Sequence, residues 1–176
     1  MEANSSKILI SFEYLCQKNK IRHMDQLNLP EFSAKIINRN DKNFIFDQTR
    51  KKYVALTPEE WVRQHFVNYL ITEKGFPIEI IANEVAIKLN NTIKRCDTIV
   101  YNAFLEPLII VEYKSNTIDI TEAVFNQILR YNMVLHAEYL IVSNGIKHIC
   151  CKIDYVRRKY EFLKVIPTYQ EITKNK

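Results

Sequence analysis

Glycine is almost absent: the 176-residue chain holds two, Gly75 and Gly145, seventy positions apart. That excludes phosphate cradles built from clustered glycines, both the dinucleotide fingerprint and the nucleotide-triphosphate loop. Proline is also scarce, at five, and so few breakers argue against a collagenous, linker-like or disordered chain. No apolar run approaches the ~20 residues that span a bilayer, so no membrane partner is expected. The N-terminus, MEANSSKILISFEYLCQ, has a short apolar stretch and no small-residue cleavage site, so a cytoplasmic location is expected rather than export. The four cysteines (Cys16, Cys96, Cys150, Cys151) lack metal-ligand or disulfide spacing, and adjacent Cys150 and Cys151 make no zinc knuckle. Reduced thiols in a cytosolic protein are the reading that remains.

What is present describes an ordinary globular chain of one-domain length, with 47% apolar and 26% charged residues. The net charge of +5 is unevenly placed. Seven Lys or Arg and three Asp or Glu lie between Cys150 and Lys176, whereas the other 149 residues hold 18 positive and 17 negative charges. A basic end suits contact with a polyanion, and a solvated tail explains it equally well.

Residues 1–23 read as an extension or a peripheral helix carrying Ile8, Leu9, Phe12 and Leu15, and the compact domain is expected over 24–176. Between Lys35 and Leu56, β-branched and aromatic residues flank a turn-rich Asn38–Lys42 and predict two or three short strands. Thr57-Pro58-Glu59-Glu60 then signals a helix start: a capping threonine, proline at the first position, glutamate three residues after the cap. Gly75 and Pro77 stop that helix. Three strands follow, at Ile80–Leu89, Thr92–Tyr101 and Leu108–Lys114, with Asn90-Asn91 as a tight turn between the first two. A second helix is predicted from about Ile120 to His136, then a strand EYLIVSN and, past Gly145, a strand HICCKID. The order is αβββαβ with a β-rich prelude and a basic end: an α/β fold with a mixed central sheet flanked by helices.

The chemistry concentrates at two strand ends. Asp97 sits mid-strand among apolar neighbours, and Glu112 and Lys114 close the otherwise apolar run Leu108–Val111. A carboxylate there carries a desolvation cost and needs a partner or a metal. A hairpin turning around Phe104-Leu105 pairs Tyr101 with Leu108, Ile99 with Ile110 and Asp97 with Glu112, whose Cβ atoms then lie about 5 Å apart. Alternation puts Lys114 and Arg95 on the same face. Two carboxylates at that separation repel unless a proton or dication lies between them. Mg²⁺ suits such a site, since it needs only one or two protein carboxylates and keeps several waters. The alternative is a buried Glu112–Lys114 or Asp97–Arg95 ion pair that staples the hairpin. On the second helix Gln127 and Tyr131 share a face at i, i+4, with Arg130 between them. A glutamine where packing favours leucine points to a polar role beside the strand ends, and a satisfied amide on the helix edge explains it equally well.

Asp97, Glu112-Tyr113-Lys114 and Gln127-Ile128-Leu129-Arg130-Tyr131 together resemble the PD-(D/E)XK nuclease superfamily. The phrases LNLPEF, IFDQTRKKYVALTPEEWVRQHF, RCDTIVY, VEYKS and FNQILRYN are similar to a stand-alone form of the N-terminal nuclease domain of type I restriction enzyme R subunits. The likeness runs from about Leu27 to Asp154. Cys96 stands where proline is common before the aspartate. The resemblance implies a restriction-endonuclease-like fold and an Mg²⁺-dependent endonuclease acting on DNA, with Mn²⁺ as a substitute. It implies Asp97 and Glu112 as metal ligands, the Tyr113 carbonyl as a further one, Lys114 as the catalytic lysine, and Gln127 and Tyr131 as supports touching the nucleic acid. Glu84 is a candidate extra ligand, with pairing to Lys88 or Arg95 as its alternative, and Glu60 a weaker one. Arg95, Arg130, Arg157, Arg158 and Lys159 are candidate nucleic-acid contacts, and Arg50-Lys51-Lys52-Tyr53 is a second basic-aromatic cluster; solvated faces and strand-edge lysines are the equal alternative for both clusters. His65 is expected in the core and His136 at the end of the second helix. Other restriction-system subunits on separate chains are the implied partners, with motor and sequence-reading functions there, and oligomerisation is left open. The competing readings are a non-catalytic DNA-binding or assembly module with the same fold, and an RNA-directed or repair nuclease.

Overall fold

The computed structural model describes residues 26–89 and 91–174, so the expectations for residues 1–23, Cys16 included, lie outside the described residues. A three-stranded antiparallel meander comes first: β1 (Ile36–Arg39), β2 (Lys42–Asp47) and β3 (Lys52–Ala55). Arg39 pairs with Lys42 across Asn40 and Asp41, whose φ values of 49° and 59° are those of a two-residue mirror-image turn. The turn-rich stretch therefore does what its composition predicts.

Helix α1 (Pro58–Thr72) begins where the capping signal stands, with Thr57 Oγ1 accepting the Glu60 N–H at 3.0 Å. The other half of the expected box is different. The Glu60 carboxylate turns away from the cap to accept from Arg50, Arg63 and Gln64. After a 3₁₀ turn at Ile78–Ile80 come β4 (Ile81–Leu89), β5 (Thr92–Tyr101) and β6 (Pro107–Tyr113), then α2 (Glu122–Leu135), β7 (Tyr139–Ser143) and β8 (His148–Asp154). Helix α2 starts two residues later than the sequence predicts, and its capping position, Thr121, makes no side-chain bond to the helix.

The main sheet has six strands in the order β4-β5-β6-β7-β8-β9, with β6–β7 parallel and the other pairs antiparallel. The parallel step follows from the connection: β6 reaches β7 through α2, and a helical crossover is how a parallel neighbour is made. Strand β6 is the spine. Ile109, Val111 and Tyr113 face α1 with Val62, Phe66 and Leu70, while Ile110 faces the α2 side with Ile128, Leu140 and Val142. Burial on both faces explains why the sequence reads there as an unbroken apolar run.

The segment after Asp154 is not a solvated tail. It forms β9 (Lys159–Leu163), antiparallel to β8, and a short α3 (Tyr169–Thr173). Thr168 and Glu171 make a reciprocal capping box at α3, Ile166 and Ile172 enter the α1-side core, and the Tyr169 N–H bonds the Lys74 carbonyl at 2.8 Å. At the front end, the Asn28 N–H donates to the Gly145 carbonyl at 2.7 Å. Gly145 has a φ of +82°, and a Cβ there would come within 2.7 Å of Leu27 Cδ2. Only glycine fits that turn.

Two irregularities shape the sheet beside the candidate residues. A bulge between Val100 and Tyr101 pairs Tyr101 with Pro107, one residue off the expected Leu108, while Ile99–Ile110 pairs as expected. The second lies in β4, where Glu84 has a φ of 58°. Asn83 still pairs with Thr98 and Val85 with Cys96, but the side-chain phase inverts between them. Ile81 and Val100 enter the α1-side core, whereas Ile87 and Cys96, of the same parity, enter the α2-side core. A left-handed residue within a strand is a bulge-like device that re-aims its neighbours. Here it turns the strand pair at Glu84 and Asp97.

Candidate active site

Glu112 is the last but one residue of β6 and is buried, its side chain 4% exposed. Its Oε1 accepts from Lys114 Nζ at 2.9 Å and from Gln127 Nε2 at 2.6 Å. Gln127 Nε2 also reaches the Tyr131 hydroxyl at 3.2 Å, so the i, i+4 pair on α2 faces this carboxylate. Glu112 Oε2 is buried with no hydrogen-bond partner among the described residues. A native-like fold leaves few polar atoms in that state.

Asp97 lies beside this group. The paired register ends at Thr98–Val111, and beyond it the Asp97 carboxylate takes over: Oδ2 accepts the Tyr113 N–H at 2.8 Å. Its Oδ1 accepts from Arg63 Nη2 at 2.9 Å. Arg63 was absent from the residues singled out in the sequence. Its side chain is 4% exposed and bridges Glu60 at 2.7 Å, Glu84 at 2.6 Å and Asp97. The sequence holds only a weak signal for it: Arg63 stands one turn after Glu59 and Glu60 and one turn before Val67, on a helix that also buries Glu60, Gln64 and His65. A buried arginine needs several carboxylates.

Burial pushes the Glu112 carboxyl up to about 7, the nearby Asp97 charge adds to the rise, and Lys114 opposes it. Asp97 is also raised, by burial first, against the lowering effect of Arg63 and the Tyr113 N–H. Burial and the Asp97 charge raise Glu59 as well. The Lys114 ammonium is destabilised by burial, yet its bond to Glu112 outweighs this and the net shift is upward. These are carboxylates that resist ionising together, the condition a cation relieves.

Glu84 has both oxygens in use, Oε1 with Arg63 and Oε2 with Arg95 at 3.2 Å. Its partner is therefore Arg95, as one sequence reading had it, together with Arg63. Among the described residues no group of three or more His, Cys, Asp or Glu side chains is disposed to hold a metal. What is offered is a smaller set of hard oxygen donors, Glu112 with its unpartnered Oε2 and Asp97, which fits a magnesium-like ion that keeps its waters. Glu60 is engaged by Arg50, Arg63 and Gln64.

The basic candidates fall elsewhere. Arg95 is 70% exposed on β5, Arg130 is exposed on α2, and Arg157, Arg158 and Lys159 are exposed at the β8–β9 hairpin. Arg50 is a framework residue, bonded to Asp47 and Glu60. His65 is buried with Nδ1 at 3.0 Å from the Trp61 carbonyl, and His136 takes the left-handed position that ends α2. No described helix is long and apolar enough to cross a membrane.

A mixed six-stranded sheet, a helix on each face and a carboxylate–lysine cluster at the end of the central strand define an α/β domain with a buried polar site at the end of β6. Residues 58–167 match the family described as the type I restriction enzyme R protein N terminus, and the chain belongs to that family. Among solved structures, the fold matches a fragment assigned as the HsdR subunit of a type I restriction enzyme from Vibrio vulnificus YJ016, with a TM-score of 0.51 and 20% identity. The match covers 68% of this chain and 25% of that fragment, so it spans about a quarter of the length of the solved fragment. No curated protein matches.

Proposed function

We propose that this domain is a metal-dependent endonuclease that hydrolyses DNA phosphodiester bonds, with a PD-(D/E)XK site made of Asp97, Glu112 and Lys114. The observation that carries the reading is the buried, unpartnered Glu112 Oε2, on a carboxylate whose other oxygen, Oε1, lies 2.9 Å from the Lys114 ammonium, with the raised Asp97 carboxyl nearby. Asp97 and Glu112 would hold Mg²⁺ or Mn²⁺, with the Tyr113 carbonyl as a further ligand and Glu84 as one only after Arg63 releases it. Such an ion polarises a phosphodiester and lowers the pKa of a bound water.

The chain's own residues do the rest. Gln127 and Lys114 occupy Oε1 of Glu112, which would leave Oε2 to the metal. Lys114 supplies a cation that orients the attacking water or neutralises charge on the transition state. Tyr131, held by Gln127, lines the path of the nucleic acid strand. Family membership supports DNA and other restriction-system subunits as partners.

Supercoiled plasmid titrated with Mg²⁺ or Mn²⁺ tests this. Nicking or linearisation is expected from the wild type and its loss from Asp97→Ala and Lys114→Ala. Cleavage untouched by both substitutions contradicts the assignment. A second reading, a DNA-binding or assembly module without catalysis, is favoured by the Arg63 ion pairs to Asp97 and Glu84, because the arginine already neutralises them. Absence of cleavage with either metal selects it.

A further inference from the structure

A groove of about 510 Å³ lies away from the carboxylate site, between α2 and the β8–β9 hairpin. Its floor is the sheet face on which Cys151 pairs with Phe162 and Ile153 with Tyr160, and its wall is Phe125 and Leu129 of α2. The rings form a contiguous set. Phe125 and Phe162 lie 5.5 Å apart, centroid to centroid, and Tyr160 and Phe162 5.8 Å. Yet Tyr160 is 71% exposed and Phe162 55%. Apolar rings left open on a sheet face need an occupant.

Charge says which kind. Residues 152–164 hold five basic and two acidic side chains, and one of the acids, Asp154, is engaged by Arg157 through an N–H bond of 2.8 Å. Arg158 and Lys159 stand at the hairpin side of the groove, which Asp154 and, on α2, Glu122 also line. Exposed rings beside a cationic hairpin match unpaired bases stacking while phosphates are neutralised, the pattern of single-strand binding surfaces. A duplex keeps its bases stacked internally and offers the rings nothing. The position fits as well. Phe125 and Leu129 occupy one flank of α2, and Gln127 and Tyr131, on the other, face Glu112. Three strand spacings, about 14 Å, separate β6 from β9.

We infer that the α2/β8–β9 groove binds single-stranded DNA, with Tyr160 and Phe162 stacking on bases and Arg158 and Lys159 contacting phosphates. This rests on the DNA reading of the same domain only for the identity of the strand, and it needs no metal and no cleavage.

The test is fluorescence anisotropy in EDTA with a labelled oligothymidylate of about 12 nucleotides and a duplex of equal length, over a range of salt. Wild type should prefer the single strand. Tyr160→Ala and Phe162→Ala should each weaken single-strand binding about tenfold and leave duplex binding unchanged, while Phe162→Tyr retains affinity. Arg158→Gln with Lys159→Gln should flatten the salt dependence. Circular dichroism melting confirms that each variant is folded. Equal affinity of wild type and both ring variants, or no preference for the single strand, overturns the inference and leaves this face to a protein partner. Because metal is absent, a failure of plasmid cleavage does not bear on the outcome.

Discussion

Glu112 concentrates the energetics of the site in one side chain. It is buried, keeps one oxygen without a partner and has its carboxyl pushed up to about 7 from 4.5. A group whose folded pKa is raised adds stability below its unfolded value and loses it as pH climbs to the folded one. The metal-free protein should therefore lose stability between pH 4.5 and about 7 on this account, by up to about 3 kcal/mol. Glu112→Gln removes the titration. Urea unfolding in EDTA should show the variant at least as stable as wild type at pH 7.5, with a flatter pH profile over that window. A wild-type profile equally flat would show that Glu112 is ionised without cost. At this scale the sequence was partly legible. An Asp mid-strand and a Glu after four apolar residues stand out because desolvation is costly, and a glutamine in a helical packing stripe does too. Arg63 did not stand out, because a helix position reads as inward only once its neighbours across space are known.

At the scale of elements, the three-stranded meander is tied to the site strands by buried polar bonds rather than by a shared core. Asp47, fully buried at the end of β2, accepts from Thr49, Arg50 and Asn83, and Asn83 accepts from Thr98 at 2.6 Å on β5. Arg50 continues the chain to Glu60 on α1 at 2.7 Å. Burial works against the Asp47 carboxylate, but these bonds outweigh it and hold its carboxyl well below the ordinary 3.8. A lowered pKa contributes stability above the unfolded value that is lost as pH falls. Asp47→Asn should thus destabilise by about 2–4 kcal/mol at pH 7, with the gap to wild type narrowing below about pH 4. Denaturant titrations at pH 7 and pH 3 measure this, and a gap that stays constant with pH would contradict it. The strands themselves were legible from β-branched runs and turn residues. The weld was not, since IFDQTR shows a turn aspartate and conceals that it bonds Asn83, 36 residues away. The inverted phase at Glu84 was hidden for a related reason. Glutamate rarely takes a positive φ, so alternation counted straight through it and missed that Ile81 and Ile87 enter opposite cores.

On the scale of the whole molecule, the described residues close on themselves at both of their ends. Asn28 bonds the Gly145 turn, and α3 returns to the end of α1 through Tyr169 and Lys74. The basic end, for which a solvated tail was one of two equal readings, is a sixth strand and a capped helix. Lys159 and Glu161 alternate with Tyr160 and Phe162 in β9, and alternating text of that kind is a strand signal that the count of lysines and arginines obscured. The αβββαβ order was readable because each boundary carries its own punctuation: Thr57-Pro58, Gly75, Gly145. What the order does is place β6 between two helices, so that its polar end meets Asp97 from β5, Arg63 from α1 and Gln127 from α2 in one place.

That convergence is the claim on which the nuclease reading depends, and a crystal of the protein soaked in Mn²⁺ examines it directly. Anomalous scattering should place one ion between Asp97 and Glu112, with Glu112 Oε2 among its ligands and Lys114 alongside. Absence of an ion at saturating Mn²⁺, with Arg63 still paired to Asp97, would contradict the account.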